Sequence, residues 1–377
     1  MLGHSPQIAT NGLVLHYDLS NTKKSFKGKP TTNYVTNARA MTGWSNYSNG
    51  TPVSITTSLG TPGYGFYNAG SWNGISRGIT IPSTGVYTFS AWIRYIGGSA
   101  NNYGGCVYIS GWGGGDSATH VNKSLVGEWQ RVSLTLTCTN LSFAFYLISY
   151  GGTNGADNSS WEMTMPQAEQ GSIATPFVDG TRSVTESLVD LTNKCTIDVT
   201  SATYDVSGNI VFGNGTALDA GTTTTFGNNG PFTASAWIKL NSLKNFSGII
   251  NKVISSRGGA YNFMCTAHNN GTLSFYNNAA WYYSNNVGLT TNTWYDVSFA
   301  YDGAGTLTYY VNGENAGTSA CTWPETAGYK VFIGSWYSIN NLYDLDGRID
   351  NAKVYNRCLS ATEVRQNFNA LRGRYGI

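Results

Sequence analysis

The chain has 377 residues, enough for two domains with separate cores, and 41% of them are hydrophobic, which argues against a disordered chain. Only 11% are charged and the net charge is +2, with no run of Lys or Arg beyond a short patch around Lys23, Lys24 and Lys29, so a phosphate-neutralising nucleic-acid surface is excluded. Apolar runs fall far short of the ~20 residues needed to cross a bilayer, and MLGHSPQIATNG lacks the basic and apolar regions of a secretory signal.

Abundant Gly, Asn, Ser, Thr and Tyr suit many short strands joined by tight turns and suit long helices poorly. The expected class is therefore all-β. Six cysteines, Cys106, Cys138, Cys195, Cys265, Cys321 and Cys358, show no C-x-x-C spacing and are expected to be mostly free, buried thiols.

In chain order, NGLVLHYDLSN (11–21) reads as an opening strand. YTFSAWIRY (87–95) and FTASAWIKL (232–240) read as one strand used twice, with Tyr87, Phe89, Ala91 and Ile93, or Phe232, Ala234, Ala236 and Ile238, on the packed face. The opposite face, with Trp92 and Trp237, is expected to be only partly buried. GEWQRVSLTLT (127–137) and NTWYDVSFAYD (292–302) form a second matched pair, each led by a Trp. Further strands are expected at 143–150, at 307–311 before an Asn312-Gly313 turn, at 330–334 and at 348–355. One helix is expected: Ser360 and Glu363 form a capping box, Val364, Phe368 and Leu371 share a face, and Gly373 marks the stop.

Residues 209–372 resemble the laminin G-like, concanavalin A-like lectin domain through FTASAWIKL, NTWYDVSFAYDG, LTYYVNGENAGT, VFIGS and above all LDGRIDNAKVYNRCLSATEV (345–364). NGLVLHYDLSN looks like the first strand of the same domain, with the segment that normally follows it found at Val189–Asn193. Residues 31–178, ending in SWEMTMPQAEQGSIATPFV, are similar to jelly-roll carbohydrate-binding-like domains of phage structural proteins. Together they imply nesting: a first strand in 1–30, an inserted jelly-roll in 31–182, and the rest of the laminin G-like sandwich with its helix in 183–377. Two sandwiches in series with a spare N-terminal arm is the alternative. The ending VRQNFNALRGRYGI also looks like that of phage structural proteins carrying this domain.

These resemblances imply a non-enzymatic virion surface protein, a tail fibre or appendage or a capsid decoration, made in the host cytoplasm and released by lysis. Its expected partners are other virion proteins, further copies of itself and host surface glycans. A dedicated carbohydrate-binding adhesin is the alternative, and a polysaccharide-degrading enzyme the remote one.

Little in the residues points to catalysis. No strand carries the alternating carboxylates of a retaining glycosidase; the nearest string is Asp344, Asp346 and Asp350, with Arg348 available to offset the charge. Calcium, at Asp344 and Asp346, is the one cofactor left open. Gly74-Ile-Ser76-Arg-Gly78 fits a nucleophile-elbow pattern but sits in extended context, and His4, His16, His120 and His268 lack metal-ligand spacing. Sugar recognition needs flat apolar rings beside amides and hydroxyls. Loop-like stretches that hold both place Trp72, Trp112, Trp281, Tyr282, Tyr283, Trp336 and Tyr337 as carbohydrate-binding candidates, whereas Trp92, Trp129, Trp237 and Trp294 are expected to pack.

Overall fold

The computed structural model describes residues 7–47, 52–69, 73–98, 105–148, 159–213, 215–222, 230–253, 261–321, 330–335 and 344–377. The chain divides into two compact units, one made of 1–29 with 184–377 and the other of 30–183. Both are built from antiparallel strands, as the Thr-, Tyr- and Gly-rich composition leads one to expect.

The first unit is a concanavalin A-like sandwich of two six-stranded sheets. One runs in the order Leu13–Asp18, Gly347–Tyr355, Phe232–Leu240, Trp294–Tyr301, Thr306–Val311, Glu314–Ala320. The other runs Leu218–Asp219, Lys330–Ile333, Ser247–Val253, Tyr261–Ala267, Leu273–Tyr276, Trp281–Tyr283. Phe232, Ala234, Ala236 and Ile238 all point into the core between them. The first strand lies antiparallel to Gly347–Tyr355, with Leu13 opposite Tyr355 and Asp18 opposite Asn351. Its other edge is held by the stretch after residue 188: the backbone N–H of His16 donates to Asp190 Oδ1 at 2.9 Å, and that of Leu191 to the His16 carbonyl at 2.7 Å. Asn312 and Gly313 both take positive φ, 52° and 77°, as a two-residue hairpin turn matched to strand twist requires.

The helix Ala361–Leu371 starts at a complete capping box between Ser360 and Glu363. The α-helix ends as expected, at the Arg372 C-cap just before Gly373. A 3-10 turn continues through Arg372–Tyr375, and Gly376 supplies the left-handed cap. This segment overturns the expected half-open face of FTASAWIKL: Trp237 is fully buried, with Phe368 and Tyr375 stacked near-parallel to it, their ring centroids 5.8 and 4.0 Å away.

In the second unit, five strands run Trp129–Cys138, Gly85–Gly97, Ser159–Gln170, Pro62–Ala69, Val53–Thr56. Five more run Ser45–Tyr47, Gly74–Thr80, Ser142–Ile148, Cys106–Ser110, Ser117–His120. Phe89, Phe143 and Phe145 from opposing sheets meet edge to face in its core. The PQAEQGSIATPF string is a latch: the buried Glu169 carboxylate accepts from the Thr175 backbone N–H and hydroxyl, both at 2.7 Å. Gly74–Thr80 is an ordinary strand, with no helix after it to make an elbow of Ser76. All six cysteines are free, and four are buried.

Candidate functional site

The Asn277–Asn286 stretch is not one loop. Asn277 is buried and its Oδ1 accepts the backbone N–H groups of Ala279 and Ala280, closing a tight turn at Asn278 (φ 72°). The turn leads into the short edge strand Trp281–Tyr283, whose register places Trp281 opposite Tyr276, Tyr282 opposite Phe275 and Tyr283 opposite Ser274. Partners directly across a ladder share a face, so Tyr282 follows the core residue Phe275 inward while Trp281 and Tyr283 face the other way. Tyr282 packs against the core and its hydroxyl accepts from Asn277 Nδ2 at 3.2 Å, which removes it from the expected binding surface.

Trp281 and Tyr283 belong to a strip of rings. Trp281 stacks on Phe246 with centroids 4.0 Å apart and lies 4.9 Å from Tyr276. Phe246 meets His268 edge-on at 4.8 Å, and His268 meets Tyr283 edge-on at 5.7 Å. Tyr283 is the open end of the strip, 42% exposed. Exposed amides flank it: Asn269 Nδ2 donates to Asn245 Oδ1 at 2.5 Å, and Asn270 is exposed beside them. Flat rings bordered by amides are the chemistry that binds a sugar face and its hydroxyls.

The other candidates divide. Trp112 in the second unit packs on its core and donates its indole N–H to the Gly115 carbonyl at 2.9 Å; a Cβ on Gly114 would stand 2.2 Å from the Trp112 ring, so the ring lies across its own loop. Trp72, Trp336 and Tyr337 lie outside the described residues. Asp344 is buried and takes hydrogen bonds from Ser335 Oγ and the Gly215 N–H, both at 2.5 Å. Asp346 accepts from Asn241 Nδ2 at 3.1 Å and Ser242 Oγ at 2.6 Å. Arg348 offsets neither of them and instead pairs with Asp205 at 2.6 Å. Among the described residues no cluster of three or more His, Cys, Asp or Glu is arranged to hold a metal.

Sequence reasoning missed a groove of about 320 Å³ in the first unit, where Trp294, Tyr375, Asp350, Arg348, Arg374 and Asn209 converge. Trp294 and Tyr375 meet at 4.8 Å with their planes 52° apart. Arg374 holds both oxygens of Asp18 at 2.7 and 2.9 Å, and the Tyr375 hydroxyl donates to Asp350 at 2.6 Å. Burial, then the carboxylate of Asp350, pushes the Tyr375 phenol far up, so it remains a donor. Trp294 at a strand entrance and the Arg348 and Asp350 charges were visible in the sequence, but nothing local brings Asn209, Arg374 and Tyr375 to them.

A family model for the concanavalin A-like lectin/glucanases superfamily matches residues 212–365, within the first unit. No curated protein matches the chain. Among solved structures, the chain is similar to the sialidase of Trypanosoma rangeli in complex with 2,3-difluorosialic acid, at 18% identity and a TM-score of 0.40, covering 49% of this chain and 31% of that one. It is similar to the receptor-binding domain of botulinum neurotoxin D at 16% identity and 0.39, over 51% of each chain. The CBM40 of the Ruminococcus gnavus IT-sialidase, bound to α2,3-sialyllactose, is similar at 17% identity and 0.36, over 41% of this chain and 94% of that one. This chain thus spans about a third of the sialidase and half of the toxin domain.

Proposed function

We propose that the chain is a non-catalytic, lectin-like surface protein that binds glycans at the ring strip ending in Tyr283. The observation that carries this reading is the exposed Tyr283 continuing a row of four more rings, with the Asn245, Asn269 and Asn270 amides at its border. Stacking one sugar on a ring is worth on the order of 1 kcal/mol, so one chain would bind weakly and many copies would be needed. Display on a phage particle, as a tail appendage or capsid decoration, supplies such copies; it rests on the sequence resemblance of 31–178 and of the C-terminal stretch. Lack of catalysis is supported by the carboxylates: Asp344 and Asp346 are occupied by internal donors, and Asp296, whose carboxyl burial raises to about 7, is fully buried.

The test is a glycan array probed with the chain displayed on a multivalent carrier. Tyr283→Ala should keep the melting temperature of the parent and lose roughly tenfold or more of the bound signal. An unchanged signal overturns this site. Purified protein should release no reducing ends from bacterial polysaccharide; sustained release abolished by one Asp or Glu substitution would overturn the non-catalytic reading. Immunogold labelling of particles separates head from tail, and absence of label overturns the virion placement.

A further inference from the structure

The groove beside the 3-10 turn has the makings of a second ligand site. Its volume of about 320 Å³ is at the small end for ligand pockets, the size for one ring-sized unit. Asp350 lines it because the register of the closing strand slips there: Trp237 pairs with Asn351 and Ile238 with Ile349, which leaves Asp350 as the unmatched residue of a bulge. Asp350 Oδ2 accepts from Ser20 Oγ at 2.8 Å and from the Tyr375 hydroxyl at 2.6 Å. Its Oδ1 takes no hydrogen bond among the described residues, so acceptor capacity is left over on the groove wall.

Donors are left over as well. Arg348 spends one nitrogen on Asp205 and Arg374 spends one on Asp18, while a guanidinium carries five N–H groups. Those two ion pairs also cancel the arginine charges. A cation would meet two guanidiniums, and an anion would meet Asp350 with Asp205 and Asp18 close behind. What fits is an uncharged ring with one apolar face for Trp294 and hydroxyls for Asp350 and the arginines.

We propose that this groove binds one neutral sugar residue, with Asp350 accepting from its hydroxyls, Arg348 and Arg374 donating to them, and the Trp294 ring covering its apolar face. The ligand class rests on the glycan-binding reading, but the groove shares no residue with the Tyr283 strip, so the two can fail separately.

The experiment is fluorine NMR of the full chain carrying 5-fluorotryptophan, with the Trp294 and Trp281 resonances assigned from Trp294→Phe and Trp281→Phe. The probes are the methyl glycosides of glucose, galactose and mannose, and N-acetylneuraminate as the anionic one. At least one neutral glycoside should shift the Trp294 resonance saturably, and Asp350→Asn, at an unchanged melting temperature, should weaken that titration about tenfold, the value of one charge-assisted hydrogen bond. Tyr283→Ala should leave the Trp294 titration unchanged. Shifts at Trp281 without any at Trp294 overturn the groove and leave the strip standing; shifts at Trp294 without any at Trp281 uphold the groove and count against the strip. No saturable shift of Trp294 at high millimolar glycoside, a shift with N-acetylneuraminate only, or full-strength binding by folded Asp350→Asn each overturns the proposal.

Discussion

Asp296, Lys353 and His16 lie close together on the helix-covered side of the first sheet, and their protonation pulls stability in opposite directions. Burial raises the Asp296 carboxyl to about 7, with Lys353 and Ser235 opposing, and lowers the buried Lys353. Burial first, then Lys353 and Arg374, lowers His16 to about 4 against the pull of Asp18 and Asp190. The signs follow from proton counting. Between the ordinary carboxylate range and about 7 the folded state holds a proton on Asp296 that the unfolded chain has released, so this group costs stability as pH rises. Between about 4 and 6.5 the unfolded chain protonates His16 and the folded state does not, so this group costs stability as pH falls. The two contributions offset each other in the parent. Urea midpoints of the first unit from pH 4 to pH 7 should therefore fall with pH in His16→Gln relative to the parent, and rise with pH in Asp296→Asn. Parallel profiles in all three proteins would refute the assignment.

The residues of the two candidate sites show what could be read from sequence and what could not. The rings at 281–283 stand out by composition, but which of them faces the core depends on the register against Leu273–Tyr276, a pairing that no local pattern fixes. Asp350 and Arg348 were visible as charges on a closing strand, but their partners, Ser20, Tyr375 and Asp205, come from three other parts of the chain.

At the scale of elements, Gly347 sits at the start of the closing strand with φ 150°, and a Cβ there would stand 2.0 Å from the Lys239 carbonyl oxygen. That atom is backbone within a paired strand and cannot step aside. Gly347→Ala should destabilise the first unit by about 2–4 kcal/mol, in line with large single-site effects from backbone strain, and leave the second unit unchanged; two-transition calorimetry would show one peak moving. The helix was legible because its start is local: Ser360 accepts from the Glu363 N–H, and the Arg357 hydrogen bonds, then those from Ser360, hold the Glu363 carboxyl down at about 2. Ser360→Ala should cost about 1 kcal/mol, read as a lower urea midpoint for the first unit. That Trp237 packs was legible, but what covers it was not. Period-two alternation in FTASAWIKL announces one packed face, and nothing within the segment tells that Phe368 and Tyr375, more than a hundred residues on, cover the other.

At the scale of the whole molecule, each unit has its own core, and the first strand contributes Leu13, Val14, Leu15 and Tyr17 to the unit that contains residues 184–377. Residues 30–183 made alone should fold, with dispersed amide resonances and a melting transition matching one of the two in the full chain. Deleting residues 1–29 should lower only the other transition, since it strips a strand from that unit's first sheet and uncovers Tyr355, whose hydroxyl donates to the Ala9 carbonyl at 2.9 Å. A deletion that shifts both transitions equally would contradict the separation of the units.

Pairing the first strand with the closing strand also sets a schedule for synthesis. Ala9 and Tyr355 are 346 residues apart, and ribosomes add about 5–20 residues each second, so LVLHYD waits roughly 17–70 s for the strand it will lie against. Over that interval residues 30–183 emerge complete and can fold by themselves, while an apolar segment with an open hydrogen-bonding edge stays tethered in front of them. Closure of the first unit is then a late, long-range event of the kind that proceeds slowly. Interrupted translation products that end between residues 183 and 346 should accordingly contain a folded second unit and a protease-sensitive first strand, and they should be the species on which chaperones act.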